Sequence, residues 1–146
     1  MIVATVRICY KKSIDSASDS SVWIEYFNGL DNPHTEKLDS LLGSELLAVG
    51  DLMLVEVLQG FRADKAFEEA RRLMTSLEVV EMGGRDVVVQ AARWYRQLRA
   101  LGVTIRKTID TVIAARCIVD GHDLLFTDRD FDPFVKHLGL KAVLRV

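Results

Sequence analysis

The chain of 146 residues is 49% hydrophobic and 27% charged, the ordinary balance of one folded domain with a single core. Its net charge of −2 supplies no overall positive field, so contact with nucleic acid would depend on a local group of basic residues or on bound metal. Cys9 and Cys117 form no CxxC pair, and no apolar run reaches the length of a membrane span. We therefore expect one cytoplasmic domain over residues 1–146, without a disulfide framework, a zinc site or a membrane segment.

The first half of the chain alternates between strand and helix patterns. β-branched residues predict a strand over residues 1–10, and the polar residues 11–18 are interpreted as a loop. Asp19 can cap a helix that ends at Gly29. A second helix is predicted over Pro33–Leu42, a strand over residues 46–49, and a third helix from Asp51 with Gly60 near its end. The predicted core face of that third helix consists of Leu52, Val55, Leu58 and Phe61.

The second half continues the same alternation. Helices are predicted over residues 64–77 and 86–101, with a strand over residues 77–82 between them. The predicted core face of the 86–101 helix consists of Val88, Ala91, Ala92, Tyr95 and Leu98. A further helix ends at Gly121, and strands are predicted over residues 124–126 and 139–146. Strands that alternate with helices of this length predict an α/β fold with a mainly parallel sheet.

Four acids adjoin apolar residues that are expected to be core: Asp19, Glu56, Asp110 and Asp128. A carboxylate at the edge of a core is unfavourable unless it is paired or bound to metal. Each acid also has a purely structural explanation when taken singly. Asp19 and Asp110 can be helix caps, Glu56 can be a surface residue, and Asp128 can be a turn residue.

The flanks of these acids occur in a recognisable order. The segments DSSVWIEYFNG, LVEVLQG, IDTVIAA and LLFTDRDFD resemble the PIN-domain family, most closely its VapC-type toxin ribonucleases. The resemblance extends from Asp19 to Val146. It implies a three-layer α/β/α sandwich with a mainly parallel central sheet. It also implies four acids at the carboxyl edge of that sheet that bind Mg²⁺ or Mn²⁺.

The resemblance assigns a role to each matching residue. Its catalytic and metal-binding acids correspond to Asp19, Glu56, Asp110 and Asp128. Asp130 matches an additional acid of many members, and Ser20 and Thr127 match small hydroxyl positions that support the site. A cluster of carboxylates without His or Cys suits a hard cation, which can activate water and stabilise the leaving oxygen of a phosphodiester.

Three basic residues flank the proposed acids in sequence: Arg106, Lys107 and Arg129. They can hold RNA phosphates, but they are explained equally well as surface charges or as partners of Asp130 and Asp132.

The N-terminus departs from the family pattern. The first acid normally ends an apolar strand, whereas SIDSAS precedes Asp19 and the apolar run ends at Tyr10. Residues 1–18 are therefore predicted to form an atypical strand and a polar linker. Asp15 remains an alternative first metal ligand.

The resemblance implies a Mg²⁺/Mn²⁺-dependent endoribonuclease, the toxin of a type II toxin–antitoxin pair. A VapB-type antitoxin would neutralise it near the active-site groove, and the toxin would form a homodimer. Residues 22–27 and 52–61 offer apolar surface that can receive the antitoxin. Two alternatives remain: a housekeeping RNA-processing nuclease of the same fold, and a catalytically idle PIN scaffold that binds protein or nucleic acid.

Overall fold

The computed structural model describes residues 16–44 and 47–144, and in these ranges a parallel sheet is flanked by helices. The strands are β1 (Ser16–Ser18), β2 (Leu47–Gly50), β3 (Glu78–Val80) and β4 (Asp123–Leu125). The helices are α1 (Ser20–Phe27), α2 (Pro33–Leu42), α3 (Asp51–Leu58), α4 (Asp64–Thr75), α5 (Arg85–Ala100), α6 (Thr108–Asp120) and α7 (Asp132–Leu138), with a short 3₁₀ helix at Arg129–Phe131. The strand order is β3-β2-β1-β4, and every pairing is parallel. The predicted α/β class with a mainly parallel sheet is confirmed.

β1 lies in the interior of the sheet, between β2 and β4. The prediction of a loop over residues 11–18 is therefore wrong for Ser16–Ser18, all of which are buried. A strand of two serines and an alanine carries no hydrophobic pattern, and its parallel pairing on both sides defines it. The strand predicted over residues 1–10 and the rest of the predicted loop lie outside the described residues.

α3 buries a different face from the predicted one. Met53 and Val57 are buried, whereas Val55 is 53% exposed and Leu52 and Leu58 are only partly buried. Six of the eight residues in DLMLVEVL are apolar, so periodicity does not select one face. Contacts with β2, α1 and α4 select it instead.

Two smaller corrections concern α5 and the C-terminal segment. Ala91 and Leu98 of α5 are buried as predicted, but Val87 is buried in place of Val88, which is 42% exposed. The strand predicted over residues 139–146 is reduced, as far as residue 144, to a single parallel bridge between Ala142 and Leu124.

The main core is continuous between the sheet and the helices. Its largest fully buried side chains include Trp23, Leu38, Met74, Phe131 and Phe134. Trp23 stacks on Phe27, with ring centroids 5.8 Å apart, so its ring serves the core and is not presented to a ligand. Within residues 16–44 and 47–144, no helix combines the length and the apolar character needed to cross a membrane.

Candidate metal centre

The parallel arrangement brings the carboxyl ends of β1 and β4 side by side. Ser18 is in register with Leu125, and the N–H of Asp19 donates to the carbonyl oxygen of Leu125 at 2.8 Å. Asp19 follows β1 directly, and Asp128 follows β4 across Phe126 and Thr127. Residues that follow adjacent parallel strands share one edge of the sheet, where α/β proteins bind ligands.

Asp19 is the N-cap of α1, as the sequence predicts, and it is 3% exposed. Its Oδ2 accepts hydrogen bonds from the N–H of Ser21 at 3.1 Å and from the Ser21 hydroxyl at 2.7 Å. The Ser21 Oγ also accepts a long contact from the N–H of Thr127 at 3.4 Å. These bonds hold one carboxylate oxygen of Asp19, while the other, Oδ1, is buried without a partner among the described residues.

The loop after β4 places two acids together. Asp128 caps the 3₁₀ helix, and its Oδ1 accepts from the N–H of Asp130 at 2.9 Å. Asp130 in turn accepts from the Arg106 guanidinium, at 3.1 Å and 3.3 Å to its two oxygens. The turn therefore directs both carboxylates to the same side of the sheet edge.

Asp110 completes a group of three. It lies in the first turn of α6, a helix that begins without a side-chain cap, and it is 3% exposed. Asp110, Asp128 and Asp130 each offer one oxygen, and these oxygens all lie within 4.8 Å of one another. Three carboxylates at this separation match the requirement of an oxygen-coordinated divalent cation.

Glu56 reaches the same region from α3, although it and Asp19 lie outside this group of three. Its carboxylate is half-buried and interacts electrostatically with Asp19 and Asp128. Glu56 Oε1 and Asp110 Oδ2, like Asp19 Oδ1, are buried with no hydrogen-bond partner among the described residues. Buried polar atoms normally have partners, and bound cations are partners that carboxylate oxygens readily accept.

Burial and mutual repulsion raise the pKa values of these acids. The pKa of Asp110 rises from 3.8 to about 7, because the carboxylate is buried and because Asp19 repels it, while Lys107 acts in the opposite direction. Burial is also the main reason why the pKa of Asp19 and the pKa of Glu56 are raised. A bound cation would remove this penalty by favouring the ionised forms.

The donor set fits a hard divalent cation. Every residue of the three-acid group is a carboxylate, and the unpartnered oxygens of Asp19 and Glu56 belong to the same class of ligand. Hard divalent cations prefer oxygen ligands, whereas zinc sites usually contain His or Cys. The sequence-predicted alternative ligand, Asp15, lies outside the described residues.

The supporting residues differ in part from those expected. Ser21 holds Asp19 directly, whereas Ser20 is buried nearby and its side chain acts to lower the pKa of Glu56. The signal for Ser21 was present in the sequence, because an N-cap side chain characteristically accepts from the second or third residue of its helix. Thr127 contributes its backbone N–H to the Ser21 hydroxyl.

The three basic residues have different surroundings. Arg106 forms an ion pair with Asp130. Lys107 is exposed immediately before α6, and its charge acts to lower the pKa of Asp110 and of Glu56. Arg129 is exposed, directly follows Asp128 in the chain, and lines a cavity together with Thr127 and Asp132.

Known proteins resemble this chain over most of its length. The chain is 29% identical over 126 residues to the VapC ribonuclease Mb1587 of Mycobacterium bovis, across 85% of this chain and 94% of that relative. The ribonuclease VapC11 of Mycobacterium tuberculosis matches to the same extent.

Solved structures share the fold at lower sequence identity. VapBC2 from Rickettsia felis, bound to a DNA fragment from its promoter, has a TM-score of 0.68 at 16% identity, covering 88% of this chain and 97% of that one. A toxin–antitoxin complex from Klebsiella pneumoniae has a TM-score of 0.66 at 13% identity, covering 90% and 100%. The PIN domain model matches residues 18–135, and the chain therefore belongs to the PIN-domain family.

Proposed function

We propose that this protein is a Mg²⁺- or Mn²⁺-dependent endoribonuclease and the toxin of a type II toxin–antitoxin pair. One observation carries the proposal: acids from four separate parts of the fold meet at the carboxyl edge of a parallel sheet, and three of their buried oxygens have no partner among the described residues. Relatives that match most of the chain are named as VapC ribonucleases, which supports RNA as the substrate.

The proposed metal ligands are Asp19, Glu56, Asp110 and Asp128. Asp130 is an additional candidate, because it belongs to the three-acid group while its own charge is balanced by Arg106. A cation held by these carboxylates would activate water and stabilise the leaving oxygen of the phosphodiester.

The side chains around the acids position them and balance their charge. Ser21 fixes one oxygen of Asp19 with two hydrogen bonds, which leaves the second oxygen available as a ligand. Lys107 and Arg129 place positive charge beside a site that would otherwise repel an RNA phosphate.

A VapB-type antitoxin is the proposed partner. A groove of about 210 Å³ between α1 and α3 is lined by Ile24, Phe27, Glu56, Val57 and Phe61, among others. Ile24 is 43% exposed, and Val55 on the same helix pair is also exposed. Because Glu56 lines this groove, a peptide bound there would lie against the proposed metal ligands. The solved relatives include VapBC2 and a toxin–antitoxin complex, which supports this partner. The predicted homodimer stays a prediction.

The decisive experiment is cleavage of RNA with Mg²⁺ or Mn²⁺, with and without chelator, by the wild type and by Asp110→Asn and Asp128→Asn. Each substitution should reduce cleavage by about a hundredfold or more, because it removes a charged ligand without changing the size of the side chain. Asp86→Asn, an exposed acid in the first turn of α5, is the matched control and should cleave like the wild type. Undiminished cleavage by both site variants would refute the assignment.

Growth measurements separate a toxin from a housekeeping nuclease. Expression of the wild type should arrest growth, and Asp128→Asn should not. Co-expression of the antitoxin should restore growth. A protein that cleaves RNA in a metal-dependent way without arresting growth would favour the housekeeping alternative. A protein that binds no metal would favour the idle scaffold.

A further inference from the structure

We propose that a cavity beside the acids binds the nucleoside that adjoins the cleaved phosphodiester of the RNA, with His34 and Arg129 as its polar contacts. This inference rests on the proposed ribonuclease function. The cavity has a volume of about 500 Å³ and lies between the start of α2, the loop after β4, helix α7 and the segment that follows α7. Its size falls within the range of about 300 to 1,000 Å³ that is typical of pockets for small organic ligands.

The position of the cavity relative to the acids follows from three consecutive residues of the loop after β4. Asp128 belongs to the acid group, whereas Thr127 and Arg129 on either side of it line the cavity. Consecutive residues are about 3.8 Å apart, which is shorter than one nucleotide of an RNA strand. A strand whose phosphate lies at the acids therefore has a neighbouring nucleoside within reach of the cavity.

One wall of the cavity is apolar and contains an aromatic ring. Phe126, Val135 and Ala142 contribute to this wall. The Phe126 ring is held against Phe131, which is fully buried, with centroids 5.2 Å apart. Proteins that recognise single-stranded RNA commonly stack unpaired bases on such rings.

The polar residues favour a nucleoside over a bare phosphate. His34 and Thr127 can donate to or accept from base and ribose groups, and the Asp132 carboxylate can accept from an amino or hydroxyl group. Asp132 would repel a phosphate placed inside the cavity.

Arg129 is the cation suited to the flanking phosphate. Within residues 16–44 and 47–144 it forms no ion pair, in contrast to Arg106, which is engaged by Asp130. His34 is held at the second position of α2, where its backbone N–H donates to Asn32 Oδ1 at 3.0 Å. The two side chains therefore approach the cavity from separate elements of the fold, which is suited to recognising one nucleotide.

Two variants test the proposal by different means. His34→Ala removes a polar contact, and Ala142→Leu fills the cavity. Each is compared with the wild type for Mn²⁺-dependent cleavage of a random-sequence, single-stranded RNA pool, with the cleavage positions mapped. Both should raise KM by about five- to tenfold, the effect expected from weakened contact with one base, and should raise it more than they lower kcat. The base preference at one position beside the cut should flatten.

His137→Ala is the matched control, because His137 is an exposed histidine of α7 that does not line the cavity. It should reproduce both the KM and the cleavage positions of the wild type. Unchanged KM and unchanged cleavage positions in His34→Ala and Ala142→Leu would overturn the proposal. It would also be overturned if the two variants lost antitoxin binding while recognising RNA normally, because the cavity would then be a protein-binding surface.

Failure of the proposed function can be told apart from failure of this inference. If the wild type cleaves no RNA with either metal, the inference is tested by RNA binding instead. A short RNA is titrated into the protein in the presence of chelator, and the methyl NMR signals of Val135 and Ala142 are followed. Shifts in the wild type that are weakened in His34→Ala would support the cavity as a nucleoside site. No shift in the wild type would overturn it.

Discussion

Replacing Asp110 by asparagine should stabilise the metal-free protein at pH 8 and flatten its stability between pH 5 and pH 8. The pKa of Asp110 rises from 3.8 to about 7 because the carboxylate is buried and Asp19 repels it. The folded protein therefore binds a proton at Asp110 more tightly than the unfolded chain does. As the pH rises from about 4 to about 7, the unfolded chain loses that proton first, so the free energy of unfolding falls; above about pH 7 it levels off.

The magnitude follows from the same shift. At about 1.4 kcal/mol per pH unit, a rise from 3.8 to about 7 corresponds to at most about 4 kcal/mol. The Lys107 charge offsets part of the repulsion, and the effective dielectric constant is well above that of a dry interior even at buried sites, so we expect about 2 kcal/mol. Asparagine keeps the size of the side chain and cannot ionise. The variant should match the wild type below about pH 4, where Asp110 is protonated in both the folded and the unfolded state, and should exceed it by this amount at pH 8, with most of the difference developing between pH 5 and pH 7.

The assay is equilibrium unfolding in urea, with chelator, at several values between pH 5 and pH 8. Mg²⁺ added at pH 8 should stabilise the wild type and should stabilise Asp110→Asn much less, because the cation needs the ionised carboxylate. The reasoning would be refuted by parallel stability profiles for the two proteins, since Asp110 would then have the same pKa in the folded and unfolded states.

Three further outcomes are expected. Saturating Mn²⁺ should raise the Tm of the wild type, because ligand at a hundredfold excess over Kd adds about 2.7 kcal/mol to the free energy of unfolding. Asp128→Asn should lose most of that rise in Tm, and Asp86→Asn should keep it. Equal rises in all three proteins would mean that the metal binds elsewhere. Ser21→Ala should destabilise the protein by about 1 kcal/mol in urea unfolding, because it removes a hydroxyl that donates a hydrogen bond to the cap residue Asp19. It should also lower the affinity for metal. Unchanged metal affinity would show that Ser21 does not support the site. Trp23→Ala should cost about 3 to 5 kcal/mol, because a fully buried ring is lost from the core; a loss below about 1 kcal/mol would contradict its place in the core.

Local signals in the sequence determined much of this protein. The bounds of α2 were predicted as the structure has them, because a proline begins the helix and a leucine-rich face continues through it. Gly121 ends α6 with a φ of 75°, the left-handed conformation that glycine adopts readily. The regular alternation of strands and helices predicted a parallel sheet, and the capping role of Asp19 follows from its position before an apolar helix.

The tertiary structure alone decided where these elements meet. The serines of β1 carry no hydrophobic signal, so only the pairing with β2 and β4 identifies them as a strand in the sheet interior. Which face of α3 is buried depends on the elements packed against it, because six of the eight residues of that helix are apolar. The grouping of Asp110 with Asp128 and Asp130 likewise depends on packing α6 against the loop after β4.

The physical reason is the range over which each interaction acts. Caps, glycine ends and helical periodicity involve residues a few positions apart, so the sequence alone is sufficient to predict them. Asp110 precedes Asp128 by 18 residues (128 − 110), and its oxygen comes within 4.8 Å of those of Asp128 and Asp130 only in the folded chain. The resemblance to the PIN family named the acids in advance. Only the folded chain determined that Asp110 titrates near pH 7, because that value arises from burial and from the charge of Asp19, which is remote in sequence.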